Sequence, residues 1–69
     1  MADHVYKMIQ VVGVSKKSYA DATQAAVKKA AESLHGLAWF EAKEFRGRID
    51  NGKVAEYQVK VDIAFKLDD

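Results

Sequence analysis

The residues of this chain that can do chemistry are few, and their spacing points to binding rather than turnover. Trp39 is the only tryptophan. An indole on a partly polar strand face can serve as a platform for a flat aromatic ligand, and such stacking contributes roughly 1–3 kcal/mol. The same ring can be a core residue or an oligomer contact. Gln58 carries a donor and an acceptor on one amide, the complement of a cyclic imide edge; its plain reading is an exposed strand glutamine. Arg46 and Arg48 flank Gly47 and can hold a phosphate or simply end a solvated strand. Glu41, Glu44, Glu56 and Asp62 are scattered, without a spacing that argues acid–base catalysis. His4 and His35 form no chelating pair, and the absence of cysteine excludes disulfides and Cys-ligated zinc or iron–sulfur sites. No nucleophile motif or glycine-rich phosphate loop occurs, and the lone serines read as caps.

These residues must be positioned by a long hairpin. Its first strand opens with Leu37-Ala38-Trp39-Phe40-Glu41, turns at Asp50-Asn51-Gly52-Lys53, and returns through Tyr57-Gln58-Val59 to Phe65-Lys66-Leu67. Asn-Gly between two such runs predicts a type I′ turn, because both residues tolerate the positive φ it requires. In the return strand Ala55, Tyr57, Val59, Val61, Ile63, Phe65 and Leu67 fall on one face, while Glu56, Gln58, Lys60, Asp62 and Ala64 fall on the other. That period of two is a strand with one covered face. A two-residue loop sets Asp50 against Lys53, Ile63 against Phe40, Val61 against Ala42 and Tyr57 against Arg46. On the other face it sets Ala64 against Trp39, Asp62 against Glu41, Lys60 against Lys43 and Gln58 against Phe45. Trp39 and Gln58 then share the more polar face but stand roughly 20 Å apart along the strand. A single ring that touches both must draw them from different chains, which predicts an intersubunit site.

The chain of 69 residues is one domain, residues 1–69. A domain of this size buries only about 60% of its unfolded surface. Without cysteines or a metal cluster, oligomerisation is the reinforcement left. The net charge of +1 gives no field for nucleic acid. No apolar run approaches membrane-spanning length and no signal peptide is visible, so the expectation is a soluble cytoplasmic protein.

After a frayed Met1-Ala2-Asp3, residues His4 to Ser15 read as the first strand, with Tyr6, Met8, Val12 and Val14 on one face and Val5, Ile9 and Val11 on the other. Gly13 marks a bulge or a close backbone approach. Ser18 is a candidate N-cap, with Asp21 three residues on. The helix is expected over Tyr19–Leu34, its apolar stripe Ala20, Val27, Ala30, Ala31 and Leu34 with Thr23 and Gln24 at the margin, ending at Gly36. Lys28, Lys29 and Glu32 read as its solvated face. The fold class is α+β, in the order β-α-β-β: a three-stranded antiparallel sheet of order 1-3-2 packed on one helix.

Val12-Gly13-Val14-Ser15, Ala22 with Ala26, Leu37-Ala38-Trp39-Phe40-Glu41, Arg46-Gly47, Asn51-Gly52, Tyr57-Gln58-Val59 and Phe65-Lys66-Leu67 together resemble the dodecins over nearly the whole length. The resemblance implies a hollow homododecamer of tetrahedral symmetry that binds flavins in pairs at two-fold interfaces. It implies that Trp39 stacks on the isoalloxazine, that Gln58 pairs with the pyrimidine edge, and that Arg46 and Lys7 contact FMN, with riboflavin as a further flavin ligand. It implies a coenzyme A site near three-fold contacts at Lys29, Ser33, Leu34, His35 and Lys66. Ala64 stands where the family commonly has glycine, and Ala42 where it commonly has valine. The function expected from the resemblance is non-enzymatic storage and sequestration of FMN with quenching of its photochemistry. The rivals are a structural assembly protein without flavin and a flavin-dependent oxidoreductase.

Overall fold

The computed structural model describes residues 3–67, so Met1 and Ala2 of the expected frayed start lie outside the described residues. The elements are β1 (Tyr6–Ser15), α1 (Tyr19–Ala31), β2 (Leu37–Asp50) and β3 (Lys53–Lys66). They form one antiparallel sheet of order β1-β3-β2, as the chain order predicts. The molecule is elongated, 56 × 20 × 14 Å, because two 14-residue strands run far beyond a 13-residue helix.

The hairpin turns as its residues require: Asn51 has φ 52° and Gly52 φ 77°. Pairing matches expectation beside the turn, with Asp50 against Lys53, and again further along, with Ala42 against Val61, Glu41 against Asp62, Phe40 against Ile63 and Trp39 against Ala64; beyond Trp39 a further irregularity sets Leu37 against Phe65. In between, it departs by one residue. Glu44 faces Lys60, Phe45 faces Val59, Arg46 faces Gln58 and Gly47 faces Tyr57. The expected pairs Lys43–Lys60, Phe45–Gln58 and Arg46–Tyr57 are therefore not formed. The cause is an extra residue in β2 at Lys43, compensated by one in β3 between Glu56 and Val54. A one-residue slip changes the face of every side chain between the two irregularities. Phe45 turns to the helix side, where its ring meets Tyr19 at 5.3 Å, and Arg46 joins Gln58 on the other side.

The helix starts where Ser18 predicts. Its hydroxyl accepts from the Asp21 N–H at 3.0 Å, satisfying one of the orphan donors of the first turn. The Asp21 carboxylate does not close a capping box on Ser18 itself. It accepts from the Ser15 hydroxyl at 2.7 Å, and Ser15 Oγ in turn accepts from the backbone N–H groups of Lys17 and Ser18.

The buried helix face differs from the expected stripe. Ala22, Ala26 and Ala30 are buried and Val27 packs beside them, whereas Ala20 and Ala31 are exposed. In a helix so rich in alanine, hydrophobicity defines the face weakly, and backbone approach defines it instead. Gly13 of β1 lies directly beneath: a Cβ there would stand 1.9 Å from the Ala22 carbonyl oxygen and 3.0 Å from Ala26 Cβ. The close approach expected of Gly13 is thus what selects the face. Val59, Val61 and Ile63 fill the other side of the core, each side chain contributing about 1.5–3 kcal/mol by burial.

The helix also stops short of Leu34. Glu32 is its C-cap, and the N–H groups of Ser33 and Leu34 both donate to the Ala30 carbonyl. Gly36, with φ 72°, belongs to the entry into β2 rather than to the cap; its carbonyl accepts from the Lys66 N–H at 3.0 Å.

Candidate functional site

The helix covers one face of the sheet. The other carries Tyr6, Met8, Gln10, Val12 and Val14 from β1, Gln58, Lys60, Asp62 and Ala64 from β3, and Trp39, Glu41, Glu44 and Arg46 from β2. The candidate residues on this face form two clusters, separated along β3 by the stretch from Gln58 to Ala64, roughly 20 Å.

The first cluster surrounds Trp39. The strand alternation that turns Phe40 toward the helix side leaves the indole on the open face, 45% exposed. Its ring meets Tyr6 edge-on across the sheet, centroids 4.8 Å apart and planes at 60°. Ala64, fully buried, lies on the central strand opposite Trp39. Its β1 partner is Met8, and Tyr6 pairs with Lys66, so the two rings meet on a diagonal across β3. The indole Nε1–H donates to Glu41 Oε2 at 3.3 Å, and Glu41 Oε1 accepts from Lys43 Nζ at 2.9 Å. Lys43 also reaches Asp62 at 3.9 Å. The Lys43 ammonium first, and the indole N–H second, hold the Glu41 carboxyl below the ordinary value for glutamate, while Glu41 raises Lys43.

The second cluster is built on Gln58, half-buried in the middle of the sheet. Arg46 Nε donates to Gln58 Oε1 at 2.9 Å, and Gln58 Nε2 donates to Glu56 Oε2 at 2.8 Å. Arg48 Nε stands 3.4 Å from Glu56 Oε1. The hydrogen bond from Gln58 is the main cause that lowers the Glu56 carboxyl, with Arg48 adding to it against a desolvation that opposes it.

The structure therefore unites Gln58 with Arg46, but keeps Trp39 apart from both, as the sequence spacing requires. Lys7 pairs with Phe65 and lies on the helix-side face, away from Trp39 and Gln58 of its own chain. Lys29, Ser33 and Leu34 line a groove of about 670 Å³ between α1 and the β1 edge. His35 and Lys66 do not line it; Lys66 is tied through its backbone to Gly36, the neighbour of His35. The sequence offers Tyr6 only as a residue of the first strand's face, and Glu41 and Glu56 only as scattered carboxylates. The signal for Tyr6 was present: alternation puts it on one face of an outer strand, and the order 1-3-2 sets that strand across β3 from Trp39. Among the described residues no group of three or more acidic or histidine side chains is placed to hold a metal ion. No helix among them is long and apolar enough to cross a membrane.

The chain is a small α+β fold, a three-stranded β-α-β-β sheet with one helix on one face, and comparison with known proteins names its family. Residues 5–68 match the Dodecin family, and the chain belongs to that family. It is 43% identical to the dodecin of Thermus thermophilus over 65 residues, 94% of each chain. The dodecin of Streptomyces coelicolor superposes with a TM-score of 0.95 at 38% identity, covering 100% of this chain and 99% of that one. A calcium-chelating dodecin of Mycobacterium tuberculosis, described as having a novel calcium-binding site, superposes with a TM-score of 0.82 at 31% identity, covering 93% and 91% of the two chains.

Proposed function

We propose that this dodecin binds FMN and holds it without turnover, storing the flavin and quenching its photochemistry. The observation that carries this reading is the placement of Trp39: an indole 45% exposed on the helix-free face, held by its N–H on Glu41 and by an edge-to-face contact with Tyr6. Gln58 supplies the amide for the pyrimidine edge, and Arg46 lies beside it. Because the two clusters are roughly 20 Å apart, one isoalloxazine takes its tryptophan and its glutamine from different chains. Paired flavins between two tryptophans at a two-fold interface satisfy that requirement. Lys7, on the other face of its own strand, joins such a site only from a neighbouring chain. An excited flavin against an indole has an electron donor in contact, so excitation is lost before reactive products form.

The monomer also argues for partners. Every residue of β2 except Leu37 is exposed in the isolated chain, including Phe40, Phe45 and Ile49 on a strand with no neighbour beyond it. Apolar edge strands of this length are covered in stable proteins. A homododecamer is the assembly proposed, in the cytoplasm.

The test is a titration of FMN fluorescence with apoprotein sized by light scattering. Deep quenching that saturates near one flavin per chain, in a particle of about twelve chains, is the expected result. A particle of that size that leaves FMN fluorescence untouched would sink the reading in favour of a structural assembly. NADH oxidation by the flavin-loaded protein would favour an oxidoreductase. Coenzyme A is proposed as a second ligand because Lys29, Ser33 and Leu34 share one groove; calorimetry with and without Lys29→Glu checks it.

A further inference from the structure

We infer that Glu56 and Arg46 are positioning residues that fix which way round the Gln58 amide stands, and so set the order of donor and acceptor that the site offers to a cyclic imide or lactam. The identity of the ligand as a flavin rests on the reading above; the clamp itself does not.

The argument follows from what each partner can do. A guanidinium only donates and an ionised carboxylate only accepts. Arg46 Nε stands 2.9 Å from one end of the amide and Glu56 Oε2 stands 2.8 Å from the other. A half-turn of the amide would set NH₂ against guanidinium and oxygen against carboxylate, losing both charge-assisted bonds. Val14, which faces Gln58 from β1, is apolar and competes for neither end. Glu56 is itself held by Arg48 at 3.4 Å. The oxygen of Gln58 is therefore always on the β2 side and its nitrogen always toward Glu56.

One lone pair on Oε1 and one hydrogen on Nε2 remain for a ligand. They match an edge in which an N–H lies beside a C=O: a cyclic imide, with its N–H between two C=O groups, pairs by either one, and a lactam in one direction only. An edge with its N–H methylated cannot pair with Oε1, and a lactam edge presented in the reverse order sets like against like. Sites built around a ligand hydrogen bond discriminate in this way because their own polar groups are left unpaired by the wrong partner.

The experiment is a double-mutant cycle with riboflavin, which has no phosphate for Arg46 to hold. Glu56→Leu should lower riboflavin affinity about threefold or more when Gln58 is present and have no further effect in a Gln58→Leu background. Glu56→Gln, which keeps an acceptor oxygen, should restore most of the loss. An equal effect of Glu56→Leu in both backgrounds would overturn the inference.

A second measurement needs neither variant nor ligand. The chain has three glutamines, Gln10, Gln24 and Gln58, so side-chain ¹⁵N-glutamine labelling gives three amide pairs. The Gln58 pair should show one strongly downfield proton and slow rotation in the apoprotein. A Gln58 pair indistinguishable from free glutamine would overturn the clamp. Failure of the unmodified protein to bind riboflavin would overturn the flavin reading instead, and the amide pair alone then decides whether Gln58 is held.

Discussion

Tyr6 and Trp39 come from strands that are not neighbours in the sheet, yet their rings meet edge-on at 4.8 Å across β3. An edge-to-face pair contributes about 0.5–1.5 kcal/mol beyond its burial. Tyr6→Leu should leave the fold in place and free the indole to tilt. The check is Trp39 fluorescence anisotropy and near-UV circular dichroism in the apoprotein: both should fall, and FMN affinity with them. Unchanged anisotropy would mean that Glu41 alone fixes the ring.

Glu41 links the same indole to pH. Its carboxyl titrates below the ordinary 4.5, chiefly because Lys43 bonds to the charged form and then because Trp39 does. A depressed folded value means that the contact contributes stability above the unfolded pKa and loses it as pH falls through the folded pKa. At neutral pH the indole bond is intact. Trp39 emission in the apoprotein should therefore be flat from neutrality down to the ordinary glutamate value and change only below it. Glu41→Gln should abolish that acid transition while keeping an acceptor for the indole.

The two ends of the proposed flavin site should fail differently. Trp39→Ala should restore FMN fluorescence and weaken binding by the stacking contribution, roughly 1–3 kcal/mol, while the particle persists. Gln58→Leu should weaken binding through the lost edge pairing but leave the quenching of whatever flavin is bound. A fluorescence titration separates amplitude from affinity; quenching lost in Gln58→Leu and kept in Trp39→Ala would reverse the assignment.

Gly13→Ala should be among the most damaging single changes. Its Cβ would fall 1.9 Å from the Ala22 carbonyl oxygen, and the obstacle is backbone, not a side chain able to rotate away. Overpacking of this kind costs about 1–3 kcal/mol and sometimes more. Thermal unfolding should show a large drop in midpoint or no folded protein; a midpoint within a few degrees of the parent would mean that α1 can lift from β1 at little cost.

Strand order, hairpin turn and the face of Trp39 were legible in the chain because each has a local cause: alternation in β3, Asn51-Gly52, and a first strand whose crossover leaves the centre to the last. The middle of the hairpin was not. Lys43 and Ala55 carry no mark of a bulge, and the irregularities at these two positions, on opposite strands, cancel, so the pairing from Ala42 to Trp39 keeps the register set by the turn while Arg46 changes face between them. The helix face misled for a different reason. Alanines at 20, 22, 25, 26, 30 and 31 offer several equal stripes, and the choice among them is made by Gly13 across a contact far away in sequence. The site was legible as two separated residues, Trp39 and Gln58. The residues that orient them were not, because Glu41, Lys43 and Glu56 read as ordinary surface charge until the pairing brings them to their partners.

The central place of β3 also governs when this sheet can exist during synthesis. Both β1 and β2 take their hydrogen bonds from β3, so a nascent chain that has reached Asp50 holds two strands and a helix with nothing to pair them. The ladder forms only as Lys53–Lys66 leaves the ribosome, and the first strand then closes against residues up to Lys66, nearly a chain length away. Such non-local closure is slow and late. Until it happens, β1 is an unpaired apolar segment, exposed to chaperones and to other nascent copies.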